Sequence, residues 1–89
     1  MAKQFRLLVY TQEKQIVDES VTSIVVPAED GYLGVWADHA PLIITLAEGT
    51  LTIRKDMVER EFQVRGGFME VAGNFATILA DYVEEKPAA

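Results

Sequence analysis

From Glu48 to Asp81 the chain reads EGTLTIRKDMVEREFQVRGGFMEVAGNFATILAD, and this stretch decides the fold class. Leu51 and Ile53 alternate with Thr50, Thr52 and Arg54. A period of two is what a strand shows when one face of its sheet is buried. Lys55-Asp56 reads as a hairpin tip, and Val58 to Arg65 as the return strand. On that strand Phe62 and Val64 are expected inward, with Glu61, Gln63 and Arg65 outward, because successive side chains point to opposite faces. Gly66-Gly67 makes a sharp connection, Phe68 to Ala72 reads as another strand, Gly73-Asn74 as a tight turn, and Phe75 to Ala80 as the last strand.

The same pattern extends toward the N-terminus. Phe5, Leu7 and Val9 alternate with Gln4, Arg6 and Leu8, and Ile16-Val17 is a second short run. Val21 to Val26 is rich in β-branched residues, which fit a pleated surface. Pro27 cannot donate to a ladder, so it ends that strand or sits at an edge. Asp30-Gly31 is a turn signal leading into Tyr32 to Trp36. Pro41 to Leu46 is the longest apolar run and suggests a strand buried on both faces. No window of helical length shows helical periodicity. About nine or ten short strands at this spacing predict an all-β sandwich or barrel. The expected organisation is a single domain over residues 1–81, followed by a short polar tail over residues 82–89 that is expected to fray.

Composition narrows the function. A chain of 89 residues has a limited core, burying roughly 60% of its unfolded surface. It has no cysteine, hence no disulfide and no thiolate nucleophile or metal ligand. The net charge is −6, from 8 Lys+Arg against 14 Asp+Glu, and the basic residues are scattered. Nucleic-acid binding and attachment to an anionic bilayer both need a basic patch, so neither is expected. No stretch approaches the roughly 20 apolar residues of a membrane span, and the N-terminus has no signal-peptide pattern, so no direct membrane insertion is expected.

Candidate chemistry is sparse. His39 is the single histidine, and no serine or threonine stands in a nucleophile-elbow context. A general base at His39 therefore competes with a loop-fixing histidine whose ring hydrogen-bonds nearby, and with an interface contact. The acidic pairs Asp18-Glu19, Glu29-Asp30 and Glu84-Glu85 place neighbours on opposite faces, and no calcium-loop pattern is present, so solvated charge is the better reading. Gly31-x-x-Gly34 and Gly66-Gly67 lack the following helix and Lys-Ser/Thr of a phosphate loop, and glycine there serves turns. No catalytic residue, metal site or cofactor is expected. Tyr32 and Trp36 flank Gly34. They are either core aromatics or outward-facing anchors, the latter if Leu33 and Val35 point inward.

Four segments in order carry a family resemblance. Asp30-Gly31-Tyr32-Leu33-Gly34-Val35 leads into Asp38-His39-Ala40-Pro41-Leu42, and Glu48-Gly49-Thr50-Leu51-Thr52-Ile53 follows. Arg65-Gly66-Gly67-Phe68-Met69-Glu70-Val71 and Thr77-Ile78-Leu79-Ala80-Asp81 complete the set. Together they resemble the epsilon subunit of F-type ATP synthases, called delta in mitochondria. The resemblance spans nearly the whole chain. It implies a flattened, mostly antiparallel β-sandwich of about ten strands. It also implies a non-catalytic rotor subunit of the central stalk, peripheral on the cytoplasmic face of a bacterial energy-transducing membrane. The partners implied are the gamma subunit, at His39, Ala40, Pro41 and Leu42, and the membrane c-ring, at Glu29, Asp30, Gly31 and Tyr32. The family's C-terminal helical hairpin has no counterpart here, so ATP binding through that hairpin is not expected. The family's usual Pro-Gly is replaced by Ala37-Asp38, which predicts a turn of similar course and altered shape. The rival reading is a free-standing β-sandwich that binds a ligand or peptide on Trp36 and Tyr32.

Overall fold

The computed structural model describes residues 3–87. Among them are eight strands: β1 Phe5–Tyr10, β2 Gln15–Val21, β3 Ser23–Ala28, β4 Gly31–Trp36, β5 Leu42–Thr45, β6 Gly49–Lys55, β7 Val58–Ala72 and β8 Phe75–Glu85. They follow one hydrogen-bonded path, β2-β1-β8-β7-β6-β3-β4, with β5 added to β7. All pairings are antiparallel except that of β1 with β8, which sets the first and last strands side by side in parallel.

Two strands, β7 and β8, belong to both layers. β7 pairs with β6 over Val58–Val64 and with β5 over Phe68–Val71. Between the two halves lie Gly66 (φ 64) and Gly67 (φ 103), in the left-handed region that L side chains avoid. A Cβ on Gly67 would collide with the backbone of Leu79 and Ala80 on β8. The Gly66-Gly67 pair thus bends the strand and lets β8 lie close against it. The path folds at this bend into two layers. Layer one is β2-β1-β8-β7-β5, using the second half of β7. Layer two is β8-β7-β6-β3-β4, using the first half of β7 and the Tyr82–Glu85 end of β8. Their inner faces meet in a single core, with Leu7, Val9, Met69 and Ile78 from layer one against Ile24, Leu51, Ile53 and Phe62 from layer two. This is the expected all-β sandwich, in a body of 32 × 32 × 25 Å.

The inward set on β1, β6 and β7 matches the alternation read from the sequence: Phe5, Leu7, Val9, Leu51, Ile53, Phe62 and Val64 are all buried. Three details differ. The strand count is eight because Gly66-Gly67 bends one long strand, β7, and does not join two. The β6–β7 tip is Asp56-Met57, since Lys55 already pairs with Val58. β5 is not buried on both faces: Ile43 is 72% exposed, because among the described residues β5 pairs only with β7 and none covers its outer side.

The C-terminal boundary also moves. Tyr82 to Glu85, expected in a fraying tail, continue β8 and pair with Phe62 to Arg65. Arg60 holds that end with a two-pronged contact to Glu85 (2.9 and 3.1 Å) and reaches Glu19 on β2 at 3.0 Å. Lys86 adds a bond from its backbone N–H to the Glu61 carbonyl and another from Nζ to the Thr50 hydroxyl. The remainder of the expected tail, Ala88-Ala89, lies outside the described residues.

Candidate interaction surfaces

The two groups of residues singled out in the sequence lie at opposite ends of β4. Glu29-Asp30 forms the two-residue turn between β3 and β4, since Ala28 pairs with Gly31. Glu29, Asp30 and Gly31 are exposed, and Gly31 has φ 124, a conformation open to glycine. The Glu29 backbone N–H donates to the Thr45 carbonyl at 3.3 Å, which ties the turn to the end of β5. Tyr32 stands beside the turn, 62% exposed, and its hydroxyl accepts the Thr50 backbone N–H at 3.1 Å. That bond pins the ring over Gly49, where a Cβ would come within 2.7 Å of the hydroxyl.

At the other end, the β4–β5 connection carries His39, Ala40 and Pro41, and Leu42 opens β5. Asp38 begins it with φ 66, so the residue in place of the family's glycine keeps the left-handed turn. Its carboxylate pairs with Lys3 at 2.6 Å. The ring of His39 is half-buried, and its Nδ1 lies 2.7 Å from the Ala40 carbonyl. A carbonyl oxygen can only accept, so Nδ1 carries the proton in this bond. This fixes the ring beside Trp36, Asn74 and Phe75, which line a shallow cleft with it. Ala40 and Pro41 are exposed, while Leu42 packs on the core from β5.

Leu33 and Val35 point inward, and Tyr32 and Trp36 point outward. Trp36 is 59% exposed, and its ring reaches over Gly34, where a Cβ would come within 2.7 Å of it. Tyr32 and Trp36 are four residues apart on one strand, about 13 Å. They do not form one aromatic platform of the kind a ring-stacking ligand site needs. Among the described residues, no three acidic or histidine side chains converge to hold a metal ion.

Sequence reasoning missed two features. Arg60, bridging Glu19 and Glu85, has no local signature because its partners lie on other strands. The second is a row of apolar side chains on the outer face of layer one. The signal for it was present: Phe68 and Leu79 are apolar at positions that alternate with core residues Met69, Ile78 and Ala80.

Comparison with known proteins agrees with this architecture. The family described as "ATP synthase, Delta/Epsilon chain, beta-sandwich domain" matches residues 4–86. The chain belongs to this family of ATP synthase sandwich domains. The ATP synthase epsilon chain of Solibacter usitatus is 44% identical over 84 residues, 94% of this chain and 63% of that one. That of Desulforamulus reducens is 40% identical, covering 94% of this chain and 64% of the relative. The chain therefore spans less than two thirds of the length of these relatives. Among solved structures, a chain of the Euglena gracilis mitochondrial ATP synthase superposes with a TM-score of 0.87 at 25% identity, over 92% of this chain and 53% of that one. A chain of the Tetrahymena thermophila mitochondrial ATP synthase, solved as central stalk and c-ring, shares the fold with a TM-score of 0.78 at 18% identity, over 93% and 67%.

Proposed function

We propose that this chain is a non-catalytic rotor subunit of an F-type ATP synthase, joining the gamma subunit to the membrane c-ring and so supporting ion-coupled ATP synthesis. The observation that carries this reading is the family match over residues 4–86, nearly the whole sandwich. The complex would hold the domain at the surface of an energy-transducing membrane, on the cytoplasmic face in a bacterium.

The arrangement at the ends of β4 suits a coupling element. The Glu29–Tyr32 turn is short, exposed and anchored by the Thr45 and Thr50 bonds. It would carry two carboxylates toward basic loops of the c-ring. The His39–Leu42 loop would meet gamma, with the His39 ring already held by its own hydrogen bond. Ordered loops lose little freedom on docking, so contacts there convert into affinity and torque with less entropic cost. Co-expression with gamma followed by gel filtration tests the reading. A stable co-eluting pair is expected. Separate elution of two folded proteins overturns it.

A further inference from the structure

A sheet edge offers unpaired backbone N–H and C=O groups to another strand, and proteins blunt that offer with charges, proline, bulges or short length. Among the described residues the two layers leave four strand edges open, and three of them are blunted. β2 carries Asp18 and Glu19, and its pairing shifts register opposite Val9 and Tyr10. β5 is four residues long, follows Pro41, and gives its Thr45 carbonyl to the Glu29 N–H. The Tyr82–Glu85 end of β8 carries Glu84 and Glu85, and Arg60 is bonded to Glu85. The edge of β4 has no such guard. Tyr32-Leu33-Gly34-Val35-Trp36 has no charge and no proline, and it pairs with β3 without a register shift. Among the described residues β4 pairs with β3 alone, and no turn or loop backbone bond reaches these five. An uncharged, proline-free run of high β-propensity on an open edge is a template for strand addition.

We infer that the outer edge of β4 is a strand-addition site whose occupant is β4 of a second copy of this chain, paired antiparallel about Gly34. The strand is complementary to itself. Opposite residues of an antiparallel pair share a face. Here Tyr32, Gly34 and Trp36 face outward, and Leu33 and Val35 face inward. The register centred on Gly34 matches those faces about a two-fold axis and uses all five residues. It sets Gly34 against Gly34, Leu33 against Val35, and Tyr32 against Trp36 of the second copy. Each Trp36 ring already reaches over its own Gly34, so the two rings meet above the axis and bury apolar surface. Asp30 then faces Asp38 of the second copy, whose carboxylate is already held by Lys3 at 2.6 Å. Each copy carries a net charge of −6, so the copies repel at long range and the pairing tightens as salt screens that repulsion. The inference concerns the free chain and does not rest on the function proposed above.

Five residues on each side make a small contact, below about 1,200 Å², so half-association is expected between about 0.1 and 1 mM. Sedimentation velocity across that range, with amide hydrogen exchange at its two ends, tests the pairing. A shift toward dimer is expected, with slower exchange confined to Tyr32–Trp36 and a change in the fluorescence of Trp36, the single tryptophan. Trp36→Lys places a charge on the edge while lowering the net charge, and should weaken association about tenfold or more. Trp36 is 59% exposed, so a thermal melt should show the fold intact. Met57→Lys makes the same change of charge at the 98% exposed hairpin tip, and should alter association by less than about twofold. A monomer throughout the range overturns the inference. So does a dimer whose slowed amides lie on another strand, or one that Trp36→Lys leaves unchanged. Association that weakens with added salt overturns it as well, since ion pairs would then hold the copies together.

Discussion

The two outer faces of the sandwich are built by the same rules and have opposite character. On layer two, the outward row of Gly34, Val25, Thr52 and Glu61 is mostly polar or small, and Arg54 pairs with Glu59 at 2.5 Å alongside it. Its two aromatics lie down: Trp36 covers Gly34, and Tyr32 is bonded to the Thr50 backbone. On layer one, Ile43, Phe68 and Leu79 are exposed on the outer side of the strands. An exposed aromatic that is already folded onto its own sheet has spent part of its apolar surface. The apolar side chains of layer one have no such polar tether, and among the described residues neighbouring Glu70 and Asp81 make no ion pair. Exposure alone therefore does not distinguish the faces; what each side chain already touches does.

The bend that separates the faces offers the largest effect. Gly67→Ala would force a Cβ into the β8 backbone at a positive φ, so a loss of about 3 kcal/mol or more is expected. Urea unfolding would measure it, and a loss under about 1 kcal/mol would mean that the bend is not held by this close approach. Tyr32→Phe leaves the Thr50 N–H without its partner, and should cost about 1 kcal/mol in the same assay. An unchanged midpoint would show that water replaces the hydroxyl, and that the ring is not pinned as described.

Acid should act on both layers through their arginines. Arg6 holds the Asp18 carboxyl below its ordinary range by a side-chain hydrogen bond, and Arg60 does the same for Glu85. A carboxyl depressed in the folded state contributes stability above its unfolded pKa and loses it as pH falls through the folded one. Stability should therefore decline below about pH 4. Arg60→Met should flatten that decline, seen as a smaller drop in melting temperature between neutral and acid solution. An identical drop would mean that the Arg60–Glu85 contact is not formed in solution. Both carboxylates are exposed, so the effect is modest.

The smallest effect concerns the turn at Asp38. Asp38→Gly relieves a left-handed φ and loses an exposed ion pair with Lys3, and the two should cancel within about 0.5 kcal/mol. Asp38→Ala keeps the strain and loses the pair, and should cost about 1 kcal/mol. Equal melting temperatures for the two variants would show that the backbone conformation there carries no strain.

Much of this was legible in the residues themselves. The alternation on β1, β6 and β7 named core positions correctly because a strand's side-chain period is set by local geometry. The turn at Gly73-Asn74 was visible because short loops draw on few residue types, whereas Asp30-Gly31 was read one residue late for the Glu29-Asp30 turn, since Gly31 already pairs with Ala28. The Asp56-Met57 tip was missed by one residue, because Lys55-Asp56 shows the same turn chemistry and only the register with Val58 decides. The candidate contacts at His39–Leu42 and Glu29–Tyr32 came from resemblance to a family, since nothing in one loop's composition says what lies opposite it.

Local sequence thus determined strand identity, inward and outward sides, and the positions of most turns, because each depends on residues within a few bonds. Only the tertiary structure decided that β7 runs through both layers, that β1 and β8 lie parallel, that β5 has an open side, and that Ile43, Phe68 and Leu79 share one strip. Those facts depend on register between strands distant in the chain. Register follows from the closure of the whole core, and no single segment contains it.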